Sequence, residues 1–210
     1  MTIGASTQAI KLYERRAPDL AARYDRIDSR AMYAPVLHLI PGHPSRVADI
    51  GAATGRDARW FADMGHSVVA VDPVTAFCTA ARDPDDRVTW VQDALPDLQR
   101  LSARKELFDY VNLSAVWHHL DPAERKRAIP VLRRLVGPAG LIVMALRHGT
   151  AVDGMPVYPI DVDDTSGAFQ AAGFAEVYRR GAASVQDANN VAGVTWTWLA
   201  LRITGGSDDQ

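Results

Sequence analysis

Residues Val47 to Pro73, VADIGAATGRDARWFADMGHSVVAVDP, constrain the fold more than any other stretch of this chain. A short apolar run ends in Asp49-Ile50-Gly51-Ala52-Ala53-Thr54-Gly55. A helix-like segment follows, and then a second apolar run, Ser67 to Val71, closed by Asp72-Pro73. Strand, glycine turn, helix, strand, acid is the order of a nucleotide-binding βαβ unit. There the turn lets a ligand approach the backbone, and the acid accepts ribose hydroxyls. Asp72 lies 21 residues after Gly51, the spacing such a unit needs.

Beyond this unit the chain keeps alternating. Strand-like runs fall at 46–50, 67–71, 88–91, 107–113, 139–146, 174–180 and 194–203. Helical patterns fit 55–64, 74–82, 95–104, 121–135 and 163–172, with Pro130 expected to kink the fourth or end its regular part. Such alternation predicts a Rossmann-like α/β domain, a seven-stranded mostly parallel sheet with helices on both faces. No helical pattern separates the last two strands, and 181–193 reads as a loop. The final strand is therefore expected to be an antiparallel hairpin strand at or near an edge. Residues 6–30 read as helical with a break near Pro18, and Leu20, Tyr24 and Ile27 share a face. A second helical stretch runs from 31 to 39. The expected organisation is an N-terminal helical lid over 1–43, the sheet domain over 44–204 and a loose tail at 205–210.

Two details narrow the ligand. The glycines are spaced Gly-x-x-x-Gly, not Gly-x-Gly-x-x-Gly, so this turn differs from the one that holds a pyrophosphate. Asp49, two residues before Gly51, would oppose a diphosphate and suit an ammonium group. A nucleoside with an amino-acid tail and a positive sulfur, S-adenosylmethionine, meets both conditions. Here the sequence resembles the class I S-adenosylmethionine-dependent methyltransferases, whose first motif reads acid-x-Gly-x-Gly-x-Gly. The chain departs from that motif at Ala53, whose methyl group crowds the ligand approach and disfavours positive φ. The seven strands with a C-terminal hairpin match the family's architecture, so the resemblance covers residues 44 to 203.

The resemblance implies a set of site residues. Asp49, Gly51, Ala52, Ala53 and Gly55 would form the turn around the cofactor. Asp72, with Pro73, would hold the ribose; it also precedes a helix and can serve as its N-cap, and both roles can coexist. Asp93 would accept the adenine amino group, with Ala94 meeting the ring edge and Leu95 packing on its face; the plainer reading of Asp93 is a solvated turn residue. Ser114 and Trp117, just after the fourth strand, would line the methionine end and the acceptor. Tyr24, followed by Asp25, matches a Tyr-Asp pair that many small-molecule methyltransferases carry on a covering helix; otherwise it is a core aromatic. Arg147 and His148, after the fifth strand, would supply a cation for a substrate carboxylate, or else form an exposed loop.

His118-His119 is a candidate general base, since imidazole titrates near neutrality. The alternative is one histidine packed against the sheet and the other capping helix 121–135 or facing solvent. Adjacent histidines do not share a helix face, so no metal site is expected. The basic clusters Arg125-Lys126-Arg127 and Arg133-Arg134 read as a solvated helix face.

Composition sets the remaining bounds. The chain has 210 residues, a formal net charge of −2 and one cysteine. No global positive field favours nucleic acid, and the Asn-Pro-Pro-Tyr run typical of nucleic-acid amino methyltransferases is absent. No apolar run reaches signal-peptide or membrane-span length, so a cytoplasmic protein without a membrane partner is expected. The expected activity is methyl transfer from S-adenosylmethionine to a small-molecule oxygen or nitrogen nucleophile, a hydroxyl or carboxylate among them. A non-catalytic cofactor-binding module and an NAD-type oxidoreductase are the competing readings.

Overall fold

The computed structural model describes residues 5–80, 87–151 and 156–204. The expected tail at 205–210 and the last two residues of the helix expected at 74–82 lie outside them. In chain order the elements are α1 (Ala5–Tyr24), α2 (Ser29–Met32), a 3-10 segment (Ala34–Leu39), β1 (Arg46–Ile50), α3 (Arg56–Asp63), β2 (Ser67–Val71), α4 (Thr75–Ala80), β3 (Val88–Val91), α5 (Gln99–Ala103) and β4 (Phe108–Ser114). They continue through a 3-10 turn (Trp117–His119), α6 (Pro122–Leu135), β5 (Val136–His148), α7 (Val162–Ala171), β6 (Phe174–Ala183), α8 (Asp187–Val191) and β7 (Thr195–Ile203).

Among the described residues the strands form one seven-stranded sheet in the order β3-β2-β1-β4-β5-β7-β6. The pairs among β1 to β5 are parallel, whereas β7 runs antiparallel to both β5 and β6. β7 is therefore inserted one place in from the edge, and β6 is the edge strand. The order reverses beside β1, so the C-terminal ends of β1 and β4 diverge and open a crevice there.

Alternation along each strand feeds two cores. Ala48, Ile50, Val69, Val71, Val111, Leu113, Ile142 and Met144 face α5, α6 and α7. Val47, Val68, Ala70, Tyr110, Leu141, Val143 and Trp198 face α3 and the 3-10 segment, where Phe61, Tyr33 and Val36 meet them. α1 adds a smaller third cluster, with Ala17 and Leu20 against Val74 and Phe77 beside α4.

Both prolines expected to interrupt helices are absorbed. α1 continues through Pro18 and α6 through Pro130. Each proline lies on an exposed face, so the carbonyl it leaves unpaired can take water. α6 further offsets the cost with a capping box between Asp121 and Glu124 and with a buried stripe including Ile129 and Leu132. Asp121, not a histidine, caps this helix. The stretch expected at 31–39 is instead one short helix and a 3-10 segment, broken at Tyr33-Ala34-Pro35. The 181–193 loop carries the end of β6 and the five residues of α8. Arg125 is not merely solvated: its guanidinium donates to the carbonyls of Trp117, Tyr158 and Pro159.

Candidate functional site

A cavity of about 410 Å³ opens at the C-terminal ends of β1, β2, β4 and β5, within the range of small-ligand sites. Gly51, Ala52, Ala53, Asp72, Pro73, Asp93, Ala94, Leu95 and Ser114 line it, as do Tyr24, His118, His119 and Arg147. Most of the residues expected from sequence are thus brought together.

Four are not. Asp49 points to the α3 face of the sheet, like Val47, and lies buried under the turn. Its Oδ1 accepts from Asn112 Nδ2 at 2.8 Å, and its Oδ2 is buried without a partner. Gly55 is absent from the wall; it begins α3 at φ +79, and a Cβ there would meet Trp90 Cζ2 at 2.4 Å. Trp117 is core, its ring centroid 5.7 Å from that of Phe169. His148 alternates away from Arg147 along β5 and bonds Thr197 Oγ1 through Nε2 at 2.8 Å.

The turn is held by short contacts. Gly51 N and Ala52 N donate to Val71 O at 2.7 and 3.0 Å. Asp72 closes the other side: Oδ2 accepts from Ala53 N at 2.8 Å, and Oδ1 from Val74 N at 2.9 Å. Each oxygen keeps a lone pair for a further donor. Burial pushes the Asp72 carboxyl up to about 6, against the pull of these two N–H groups. Asp72 is therefore no simple N-cap of α4. That helix start is met by Glu14 of α1, whose carboxylate accepts from Thr75 N at 2.6 Å and Ala76 N at 3.4 Å. Ala53 takes φ +48, so the crowding expected at this position is also a left-handed backbone carried by a non-glycine residue.

Asp93 sits at the wall with both oxygens engaged, one by its neighbour Ala94 N and one by Leu101 N near the start of α5. Half-buried, it supports α5 through Leu101 N and keeps acceptor capacity on both oxygens.

Beneath the turn runs a polar network that sequence reading missed. Arg56 grips Asp57 with two 2.7 Å bonds. Asp57 accepts from Ser29 Oγ at 2.7 Å and Tyr33 Oη at 3.1 Å, and Tyr33 Oη accepts from Asn112 Nδ2 at 2.7 Å. Asn112 completes the chain to Asp49. An asparagine inside the apolar strand run Tyr110-Val111-Asn112-Leu113 was the available signal, since a buried polar side chain needs a partner. Burial first, then the Asp57 charge, raises the Asp49 carboxyl to about 7, although Asn112 and Arg56 oppose the shift.

α1 crosses the mouth of the cavity. Ser6 Oγ donates to Glu124 Oε1 at 2.6 Å, Tyr13 Oη lies 3.0 Å from His119 Nε2, and Tyr24 rests against Phe77. Asp25 Oδ1 accepts from Thr54 Oγ1 at 2.6 Å, tying the end of the segment to the glycine turn. The spacing Tyr13-Ala17-Leu20-Tyr24 could have revealed Tyr13 as part of the inward face.

His118 and Arg147 are both buried. Burial holds both histidines below the ordinary imidazole range, and the Arg147 charge adds to this. Arg147 itself donates to the carbonyls of Gly149 and Thr150 at 3.2 and 2.8 Å. No helix among the described residues is long and apolar enough to cross a membrane.

Comparison with known proteins agrees with this geometry. A family model described as a methyltransferase domain matches residues 48–144. An uncharacterised methyltransferase of Mycobacterium tuberculosis is 31% identical over 119 residues, which cover 56% of this chain and 46% of the relative. The chain spans about half the length of the curated relatives it matches. The Burkholderia thailandensis 1,6-didemethyltoxoflavin N1-methyltransferase superposes with a TM-score of 0.76 at 20% identity, covering 98% of this chain and 92% of the other. The N-methyltransferase NodS of Bradyrhizobium japonicum gives 0.71 at 16%, covering 94% and 99%. With the sheet order, the glycine turn and Asp72 in place, residues 48–144 match a methyltransferase-domain family and the chain has the fold of the S-adenosylmethionine-dependent methyltransferases it superposes on.

Proposed function

We propose that the cavity binds S-adenosylmethionine and that the protein transfers its methyl group to a small molecule. The observation that carries this reading is the joint presentation of Gly51–Ala53 and Asp72 to one cavity, with Ala53 N and Asp72 already bonded. The residues fit the cofactor: Asp72 keeps lone pairs for ribose hydroxyls, and Asp93, Ala94 and Leu95 lie where an adenine would rest. A buried carboxylate oxygen of Asp49 waits unpartnered below the turn, within electrostatic reach of an ammonium group. Bound S-adenosylmethionine supplies an electrophilic methyl group on a positively charged sulfur.

The chain's own task is then alignment and exclusion of water. α1 covers the cavity, and Ser114, His118, His119 and Arg147 border the end where an acceptor would enter. The Burkholderia neighbour was solved with its small-molecule substrate and S-adenosylhomocysteine bound, which supports a small acceptor here. A net charge of −2 offers little to phosphate backbones.

Thermal melts test the reading directly. S-adenosylhomocysteine raises the melting temperature and NAD does not; ligand at a hundredfold excess over Kd adds about 2.7 kcal/mol. Asp72→Ala remains folded and binds S-adenosylhomocysteine more weakly by about 1.5–3 kcal/mol, measured by calorimetry. A shift with NAD, or none with either ligand at millimolar concentration, would refute the cofactor assignment.

α1 is proposed as a lid. It makes no strand pairing and is held by side-chain contacts, the polar ones at Ser6, Tyr13 and Glu14 and the apolar ones of Ala17 and Leu20 against Val74 and Phe77, so it can open without breaking the sheet. Hydrogen exchange should show residues 10–24 gaining protection when S-adenosylhomocysteine binds. Equal protection in both states would make α1 a fixed part of the core.

A further inference from the structure

Tyr13 on α1 and His119 on the turn after β4 meet at the acceptor end of the cavity. Their ring centroids are 5.4 Å apart at an interplanar angle of 84°, and Tyr13 Oη lies 3.0 Å from His119 Nε2. His119 Nδ1 lies 2.9 Å from Pro156 O. A carbonyl only accepts, so Nδ1 carries the proton, Nε2 accepts, and the Tyr13 hydroxyl donates to it. His118 has no such arrangement: its Nδ1 is buried without a partner. The two adjacent histidines are thereby distinguished, and His119 alone is tautomerically set to take a proton through Tyr13.

The groups around the pair come from several elements. Arg147 of β5 acts on both Tyr13 and His119, and His118 lies beside His119 with ring centroids 4.1 Å apart. Tyr24, Arg23 and Asp72 act on Tyr13. Burial, with the Arg147 charge, lowers the His119 imidazole, and burial raises the Tyr13 phenol well above its ordinary value, so the resting pair is neutral with the shared proton on Tyr13.

The wall beyond the pair includes apolar and aromatic side chains beside the polar Ser184, Gln186 and Asn189. Met32, Pro35, Ala182, Trp196 and Trp198 belong to it, and Trp196 pairs with both Arg147 and Ala182 across the sheet. Arg147, a cation at this end, donates to two backbone carbonyls. Those bonds orient the guanidinium, and the Trp196 and Trp198 rings of the same wall offer flat apolar surface against which a planar ring can lie.

We propose that the acceptor is a neutral planar aromatic molecule bearing a weakly acidic N–H or O–H, and that Tyr13 takes its proton while His119 acts through Tyr13 as the proton store. The inference rests on the methyl-transfer reading above. The acceptor's nitrogen or oxygen lone pair forms the bond to the methyl carbon as the carbon–sulfur bond breaks, its electron pair remaining on sulfur. The acceptor proton passes to Tyr13 Oη while the Tyr13 proton passes to His119 Nε2. The resulting imidazolium is held by Pro156 O through Nδ1–H and returns the proton to water after product leaves.

The test uses the full chain, S-adenosylmethionine carrying a radiolabelled methyl group, and four probes. Two are aromatic, 7-hydroxycoumarin and lumazine; two are charged and aliphatic, phosphoethanolamine and glycine. Label is expected in at least one aromatic probe and in neither aliphatic one. Tyr13→Phe and His119→Gln should lower kcat by 10²-fold or more, with the dissociation constant of S-adenosylhomocysteine within threefold of wild type. Raising the pH toward the probe's own ionisation should restore the variants, which a merely structural role would not produce. Labelling of an aliphatic probe, labelling of none, or variants within threefold of wild type in kcat overturns the proposal. Failure of the wild-type protein to bind S-adenosylhomocysteine overturns the methyl-transfer reading together with it.

Discussion

Asp49→Asn should melt at a higher temperature than the wild-type protein at pH 7.5 and bind S-adenosylhomocysteine less tightly. Burial and the Asp57 charge raise the Asp49 carboxyl from 3.8 to about 7. Between those two values the folded chain holds a proton that the unfolded chain has lost, so stability falls as pH rises through the window. Above pH 7 the full cost is present, on the order of 4 kcal/mol for a shift of this size. Asparagine keeps the oxygen that Asn112 bonds and carries no charge. Its amide also offers a donor among Asn112 Oδ1 and Tyr110 Oη, which are both buried without partners. For a domain of this size the gain corresponds to roughly 10 °C. The ammonium group of the ligand loses the buried charge beneath the turn, so affinity moves the other way, a stability–function trade-off. Melts from pH 5 to 8 check the first half and calorimetry the second. A variant no more stable than wild type at pH 7.5 would mean that the network compensates the charge.

Gly51→Ala should be the most damaging single methyl group in the site. Gly51 has φ +82, and a Cβ there would lie 2.2 Å from Val116 Cγ2. The backbone conformation costs an L-residue about 1–2 kcal/mol, and over-packing adds about 1–3 kcal/mol. Val116 is β-branched and lines the cavity, so any retreat reshapes the ligand wall. A drop in melting temperature of roughly 10 °C and loss of measurable S-adenosylhomocysteine binding are expected. Gly51→Ala combined with Val116→Ala should recover the steric part and retain the backbone part. Full stability in the single variant would show that the turn can relax around the methyl group.

Much of this was visible before any coordinates. The strand limits at 46–50, 67–71 and 88–91 coincide with β1, β2 and β3, because short apolar runs bounded by glycine, proline and acids have few alternatives. Asp72 stands at the cavity for the same reason: an acid directly after a parallel strand emerges at its C-terminal end. Direction was harder. Arg147 and His148 are neighbours in sequence, yet only Arg147 reaches the cavity, since strand residues alternate faces and neither face is marked as the ligand side. Trp117 followed β4 as closely as His118 did, but the 3-10 turn drove it into the core.

The sequence alone determined the order of elements, the parallel sheet, the glycine turn and its acid, since each depends on local propensity and short spacing. Tertiary structure decided which side chains meet. Tyr13 and His119 are 106 positions apart, and Asp49 and Asn112 are 63 apart. Such pairs depend on strand order and on where α1 crosses the sheet, which are set by packing of buried faces and not by any local pattern. The same packing removed Asp49 from water and from the cavity wall, and gave one of two adjacent histidines a defined tautomer.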